Sequence, residues 1–197
     1  SSIYEIFNRL NTGGQNLSPQ EIRMSLYYSK FYKMLGELNT MAEWRRIISQ
    51  SIIDVHFKDV EILLRGFAML FEYKGYKSPM GRFLNTFSKK AMDFDDEKIT
   101  YLRDLFLSFC NSCSDLNKDI FCTKNGQFSI SLFESIFVAT AIDDFTNHSL
   151  ITKKVNNQSI NLLKSNLDFI NSNQGSVASK QNLTTRINKA IEIIAFD

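Results

Sequence analysis

Hydrophobic positions recur along this chain at three- and four-residue intervals, the spacing of one face of an α-helix. Ile3, Phe7 and Leu10 stand at i, i+4 and i+7, and Ile22, Leu26 and Phe31 resume the pattern after a polar interval. From Asp59 the run VEILLRGFAMLFEY is apolar on most faces, which predicts a central, largely buried helix. Met80, Phe83, Leu84 and Phe87 predict a helix opened by Ser78-Pro79, and Asp95 or Asp96 opens a longer one with the stripe Ile99, Leu102, Phe106, Phe109 and Cys113. Ser131 and Glu134 have the spacing of a capping box before FESIFVATAI, and residues 159–170 and 180–194 form two further amphipathic segments. Between these lie the polar stretches LNKDIFCTKNGQF, FTNHSLITKKVNNQ and NSNQGSVAS; Asn125-Gly126 suits the tight turn of a short hairpin. The expected fold class is mainly α, a multi-helix bundle.

One polar interval is unusually specified. RLNTGGQNLSPQEIR, residues 9–23, concentrates turn and cap residues in a chain with only 8 Gly and 2 Pro. Ser18 as cap, Pro19 at the first helical position and Glu21 reaching back form a capping box, with Leu17 and Ile22 placed as a hydrophobic staple. Gly13 or Gly14 suits the left-handed end of the preceding helix. The second glycine, Thr12, Asn11 and Arg9 are left over. Successive N–H groups in such a turn, beside a helix N-terminus, can cradle a phosphate.

Composition narrows the function classes. The 44% hydrophobic share, with 17 Phe and 7 Tyr against one Trp, is that of a globular protein with a Phe-rich interior. No run reaches the ~18 apolar residues of a membrane span, and SSIYEIFNRL lacks the features of a signal peptide, so a cytoplasmic address and no membrane partner are expected. Cys110, Cys113 and Cys122 cannot all pair within one chain, which favours reduced thiols. A net charge of +2 is too balanced to mark a nucleic-acid binder by itself, so any contact with DNA must be local.

IFNRLNTGGQNLSPQEIR resembles the Phe-x-Arg-x-Asn-x-Gly-Gly-x-x-Leu-x-x-Gln-Glu-Ile-Arg signature of the ParB/sulfiredoxin-like family typified by the GmrSD modification-dependent restriction endonucleases. LLRGFAMLFEYKGY, GRFLNTFSKKAMDF, FESIFVATA and SKQNLTTRINKAIEII extend the resemblance over nearly the whole chain, although these later stretches are mostly helical patterning. The resemblance implies a phage-defence protein whose first domain binds and hydrolyses a nucleoside triphosphate with Mg and helps recognise modified DNA, often followed by an HNH nuclease domain or served by a nuclease subunit. It places residues 1–30 at the edge of an α/β ParB-like domain and residues 31–197 in a helical bundle domain. By position, Arg9, Asn11, Thr12, Gly13 and Gly14 would line the nucleotide, and Arg23 would face the same cleft. The family's upstream Asp-Gly-Gln-Gln-Arg motif does not occur among these residues, so little or no hydrolysis and no catalytic residue are expected of this chain.

Other constellations carry less chemistry. Cys110-x-x-Cys113 with Cys122 lacks a fourth metal ligand, and His56 and His148 stand alone in their segments. Asp95, Asp96 and Glu97 fit the first turn of a helix better than a nuclease centre. Arg65 inside an apolar run needs a partner, for which Glu61 or Glu72 is at helical spacing. Tyr73, Lys74, Tyr76 and Lys77, with Lys89 and Lys90, interleave rings and cations that can stack on bases or pair with phosphates. The leading expectation is the nucleotide- and DNA-sensing part of a restriction system; the alternative is a non-catalytic helical scaffold for protein interaction.

Overall fold

A computed structural model describes residues 17–197, and among these it has ten α-helices and no sheet. The helices are α1 (Pro19–Leu26), α2 (Lys30–Thr40), α3 (Ala42–Ile47), α4 (Lys58–Glu72), α5 (Met80–Ala91), α6 (Asp96–Ser112), α7 (Ile130–Asn147), α8 (Asn157–Ser165), α9 (Leu167–Asn171) and α10 (Lys180–Ile193), with a 3-10 turn at Tyr73–Gly75. The expectation of a mainly α multi-helix bundle holds. Polar caps set most of the starts: the side chains of Ser18, Ser29, Asp95, Asn156, Asn166 and Ser179 each accept a backbone N–H of the helix they precede.

α7 is the axis of the bundle, packed on one side by α10 and on another by α4; α2 and α3 close over α4 and α6. Its apolar residues point in nearly all directions, and Phe133, Ile136, Phe137 and Val138 are wholly buried. Rings link the layers. Trp44 of α3 meets Phe133 at 5.1 Å, Phe109 of α6 meets Phe137 at 4.9 Å, and Phe67 of α4 meets Phe137 at 5.6 Å. Gly66 lets α4 approach this layer: a Cβ there would stand 3.1 Å from ring carbons of both Phe133 and Phe137.

Where the structure departs from the sequence pattern, a side chain has found a different partner. Arg65 pairs with neither Glu61 nor Glu72; its Nε lies 2.5 Å from Glu134 Oε1 of α7, and Arg186 of α10 reaches the other carboxylate oxygen at 3.8 Å. Glu134 therefore points inward and cannot complete a box with Ser131. The cap of α7 is Ser129, whose Oγ accepts the Leu132 N–H at 3.3 Å. At Ser78-Pro79 the helix begins one residue later than expected, with Pro79 extended and no side-chain cap. The amphipathic run 159–170 breaks at Asn166, which leaves the helical region and caps α9 with its amide. Asn125-Gly126 does form a turn, with Gly126 at φ +74°, but only one bridge, Cys122 to Phe128, flanks it.

Two substitutions test this packing by urea denaturation. Gly66→Ala drives a methyl group into two rings and is expected to destabilise the fold by about 1–3 kcal/mol. Glu134→Leu strands two guanidinium groups and is expected to lower stability by about 3–5 kcal/mol. A loss under about 1 kcal/mol for the latter would mean that the Arg65 and Arg186 charges escape to water, against this geometry.

Candidate functional site

A cleft of about 830 Å³ opens where the start of α1, the start of α4, the loop after α3 and the Cys122–Phe128 turn come together. That volume is within the usual range for a small-molecule site. The α1 end is built as its sequence dictates. Ser18 Oγ accepts the Glu21 N–H at 3.2 Å, and Glu21 Oε2 accepts the Ser18 N–H at 2.6 Å. Pro19 has no N–H, and the Ile22 N–H is donated to the Ser18 carbonyl. The first turn of α1 thus consumes most of its own donors. What it offers a ligand is the field of the helix dipole rather than a row of open N–H groups.

The opposite wall is organised by Arg45. Its guanidinium donates to the Gln50 carbonyl at 2.8 Å, the Ile52 carbonyl at 2.6 Å and Asp59 Oδ2 at 2.7 Å; Asp59 also accepts the Asp54 N–H at 3.1 Å. This clamp holds a loop with two non-glycine residues in the left-handed region, Ser49 at φ 55° and Phe57 at φ 58°. The clamped loop sets Gln50, Asp54 and His56 on the cleft wall with Lys58 and Glu61 beside them, and shows Ile52 and Val55 to solvent, 82% and 78% exposed.

Arg23 does not face the cleft as an open cation. It is 1% exposed; its Nε donates to Asn85 Oδ1 of α5 at 2.9 Å, and its Nη1 donates to Gln20 Oε1 and, at 3.2 Å, to Glu61 Oε2 of α4. A guanidinium committed to three partners ties helices together. These bonds also cross residue 30, the boundary expected between two domains. Arg9, Asn11, Thr12, Gly13 and Gly14 lie outside the described residues. Among the described lining residues Lys58 is the one exposed lysine or arginine, so these residues do not by themselves supply a triphosphate site.

The residues expected at DNA divide in the same way. Tyr73 and Tyr76 are buried, their hydroxyls donated to Asn188 Oδ1 at 3.3 Å and the Ala178 carbonyl at 2.8 Å, so neither ring can stack on a base. Lys74, Lys77, Lys89 and Lys90 are exposed, and Lys90 pairs with Glu72.

The remaining candidates have structural partners. His56 Nδ1 stands 3.6 Å from Glu21 Oε2, but Ser18 Oγ meets the His56 carbonyl rather than its ring, so the three do not form a nucleophile and base. His148 stacks on Tyr101 at 4.0 Å, and Tyr101 donates to the Asp144 carbonyl, which gives the end of α7 its anchor. All three cysteines are buried, and burial pushes the Cys110 and Cys113 thiols up from their ordinary value. Among the described residues no group of three His, Cys, Asp or Glu is placed to hold a metal, and no helix is long and apolar enough to cross a membrane. Residue types do not disclose the Arg45 clamp, because its acceptors are mostly backbone carbonyls.

Comparison with known protein families, with curated proteins and with solved structures returned no match.

The Ser18 N–H and hydroxyl, followed by His56, hold the Glu21 carboxylate below its ordinary value of 4.5. A carboxylate held down in the folded state adds stability above pH 4.5 that fades as pH falls through the lower folded value. Glu21→Gln keeps a capping side chain without the charge. The wild type is expected to melt higher than this variant at pH 7, with the gap closing below pH 4.5; a gap independent of pH would rule the charge out.

Proposed function

We propose that this chain is the nucleotide- and DNA-sensing portion of a phage-defence, modification-dependent restriction system. The observation that carries this reading is the join between motif and cleft. The signature beginning at Phe7 runs directly into Ser18–Arg23, and that stretch opens α1 at the rim of the 830 Å³ cleft. In this reading Arg9, Asn11, Thr12, Gly13 and Gly14 hold the phosphates of a nucleoside triphosphate with its Mg, and α1 transmits occupancy. Arg23 joins α1 to Glu61 of α4 and Asn85 of α5, so a shift of α1 is felt by both helices. A DNA-contacting face on α5 and a nuclease domain or subunit would then respond to the nucleotide as linked sites.

A second reading is favoured by one observation: the Arg45 clamp stiffens a loop whose tip displays Ile52 and Val55, as an interaction scaffold would.

Thermal unfolding separates the two. Under the leading reading, ATP or GTP with Mg raises the melting temperature of the complete protein by several degrees, and Arg9→Ala removes the rise while leaving the unliganded melting temperature within about a degree. If neither triphosphate shifts the wild type, the assignment of the loop is wrong; co-purification of a protein partner, lost on Ile52→Asp with Val55→Asp, then supports the scaffold.

A further inference from the structure

From Tyr73 to Met92 the chain carries Lys74, Lys77, Arg82, Lys89 and Lys90 and no carboxylate, and all five cations are exposed. Lys90 is tied to Glu72, whereas among the described residues none of Lys74, Lys77, Arg82 and Lys89 forms an ion pair. Arg82, Thr86 and Lys89 follow at i, i+4 and i+7, so they share one face of α5, opposite the buried Phe83, Leu84, Phe87 and Ala91. Tyr76 packs on Phe83 at 5.0 Å, which lays the turn bearing Lys74 and Lys77 against the first half of the helix. Just beyond, Asp93, Asp95, Asp96 and Glu97 reverse the sign of the surface.

We propose that this α5 face, with Lys77, Arg82 and Lys89 at its centre, binds duplex DNA through its phosphate backbone; this rests on the DNA-sensing reading and gives it a location and a mode. Two features select the mode. The four aromatic residues of the segment, Tyr73, Tyr76, Phe83 and Phe87, are all buried, so the face has no platform on which unpaired bases could stack. Arg82 and Lys89 are separated by about 10 Å of helix rise, so their long side chains can reach separate phosphates of one duplex backbone. The contact is therefore electrostatic and indifferent to sequence, and it ends at Asp93. Recognition of a modified base belongs elsewhere in the assembly.

The test is fluorescence anisotropy of the full chain with a labelled duplex of about 25 base pairs, read between 50 and 200 mM salt. Each phosphate contact contributes about −0.9 to the slope of log affinity against log salt. Arg82→Gln with Lys89→Gln is expected to weaken binding at least about tenfold at 50 mM and to make the slope shallower by about two. Lys33→Gln with Lys118→Gln, which removes the same charge elsewhere, is expected to retain the wild-type slope. If both pairs bind with the wild-type slope, this face is not the DNA contact, although DNA sensing stands. If the wild type binds no duplex, the DNA-sensing reading fails as well. Tighter binding to single strands, or binding to phosphatidylserine vesicles in place of duplex through the same residues, overturns the proposal.

Discussion

The carboxylate of Glu134 holds three distant parts of this chain in one register. It is wholly buried on α7 and meets Arg65 of α4 and Arg186 of α10. Burial opposes the charge on both arginines, and the balance differs between them. At Arg65 burial is outweighed by Glu134 together with Glu61 and Tyr76, which hold it above its ordinary value, whereas at Arg186 burial, with the nearby Arg65 charge, prevails and pulls it down. Among the described residues Glu134 Oε2 and Arg186 Nε have no hydrogen-bond partner, so the cluster is not fully satisfied by them. Such a group adds little net stability over apolar packing, but any slip of α4 along α7 would leave charge stranded in the core. Gly66, one residue from Arg65, enforces the same register sterically through Phe133 and Phe137. Charge and packing therefore agree on where α4 lies.

That placement determines the rest of the molecule. The first turn of α4 supplies Lys58, Asp59 and Glu61 to the cleft, and its far end leads through the Tyr73–Gly75 turn into the basic segment. Arg45 and Arg23 repeat the same device at the edges. One is committed to Asp59 and two loop carbonyls, the other to Gln20, Glu61 and Asn85. In each case an arginine fork satisfies several acceptors that no hydrophobic contact could orient, which is why arginine rather than lysine serves there.

Periodicity was enough to find α1, α4 to α7 and α10, because the buried face of each is a stripe that repeats every three or four residues, but it joins Phe31 of α2 to α1 and does not disclose the short α3. Leu102, Phe106, Phe109 and Cys113 are all buried as their spacing requires. Local capping was legible where the chemistry is contiguous, as at Ser18, Glu21 and Asp95. It fails at Ser131 because the partners of Glu134 lie 69 residues upstream and on α10, out of reach of a local pattern. Tyr73 and Tyr76 misled for a related reason. A tyrosine beside lysines looks like a nucleic-acid platform, yet both hydroxyls find acceptors near α10 that sequence neighbours do not disclose. Of the cleft, the α1 rim was legible, whereas the wall built by Arg45 was not, since a loop carbonyl leaves no trace in residue type.

The same long-range polar contacts that escape sequence reading are what would let the two proposed sites communicate. Asn85 lies on α5 between Arg82 and Lys89, and its Oδ1 accepts from Arg23 at 2.9 Å. A ligand that draws the start of α1 toward the cleft must carry Arg23 with it or break that bond. Because the interior is close-packed, α5 would answer by shifting as a unit rather than by yielding locally. Phosphate contacts spaced along one helix face respond to such a shift together, so a small movement at α1 would alter several contacts at once. Coupling between linked sites is typically about 1–3 kcal/mol, the same order as a charge-assisted hydrogen bond. The Arg23 to Asn85 bond is therefore of the right strength to carry the signal without any larger rearrangement of the bundle.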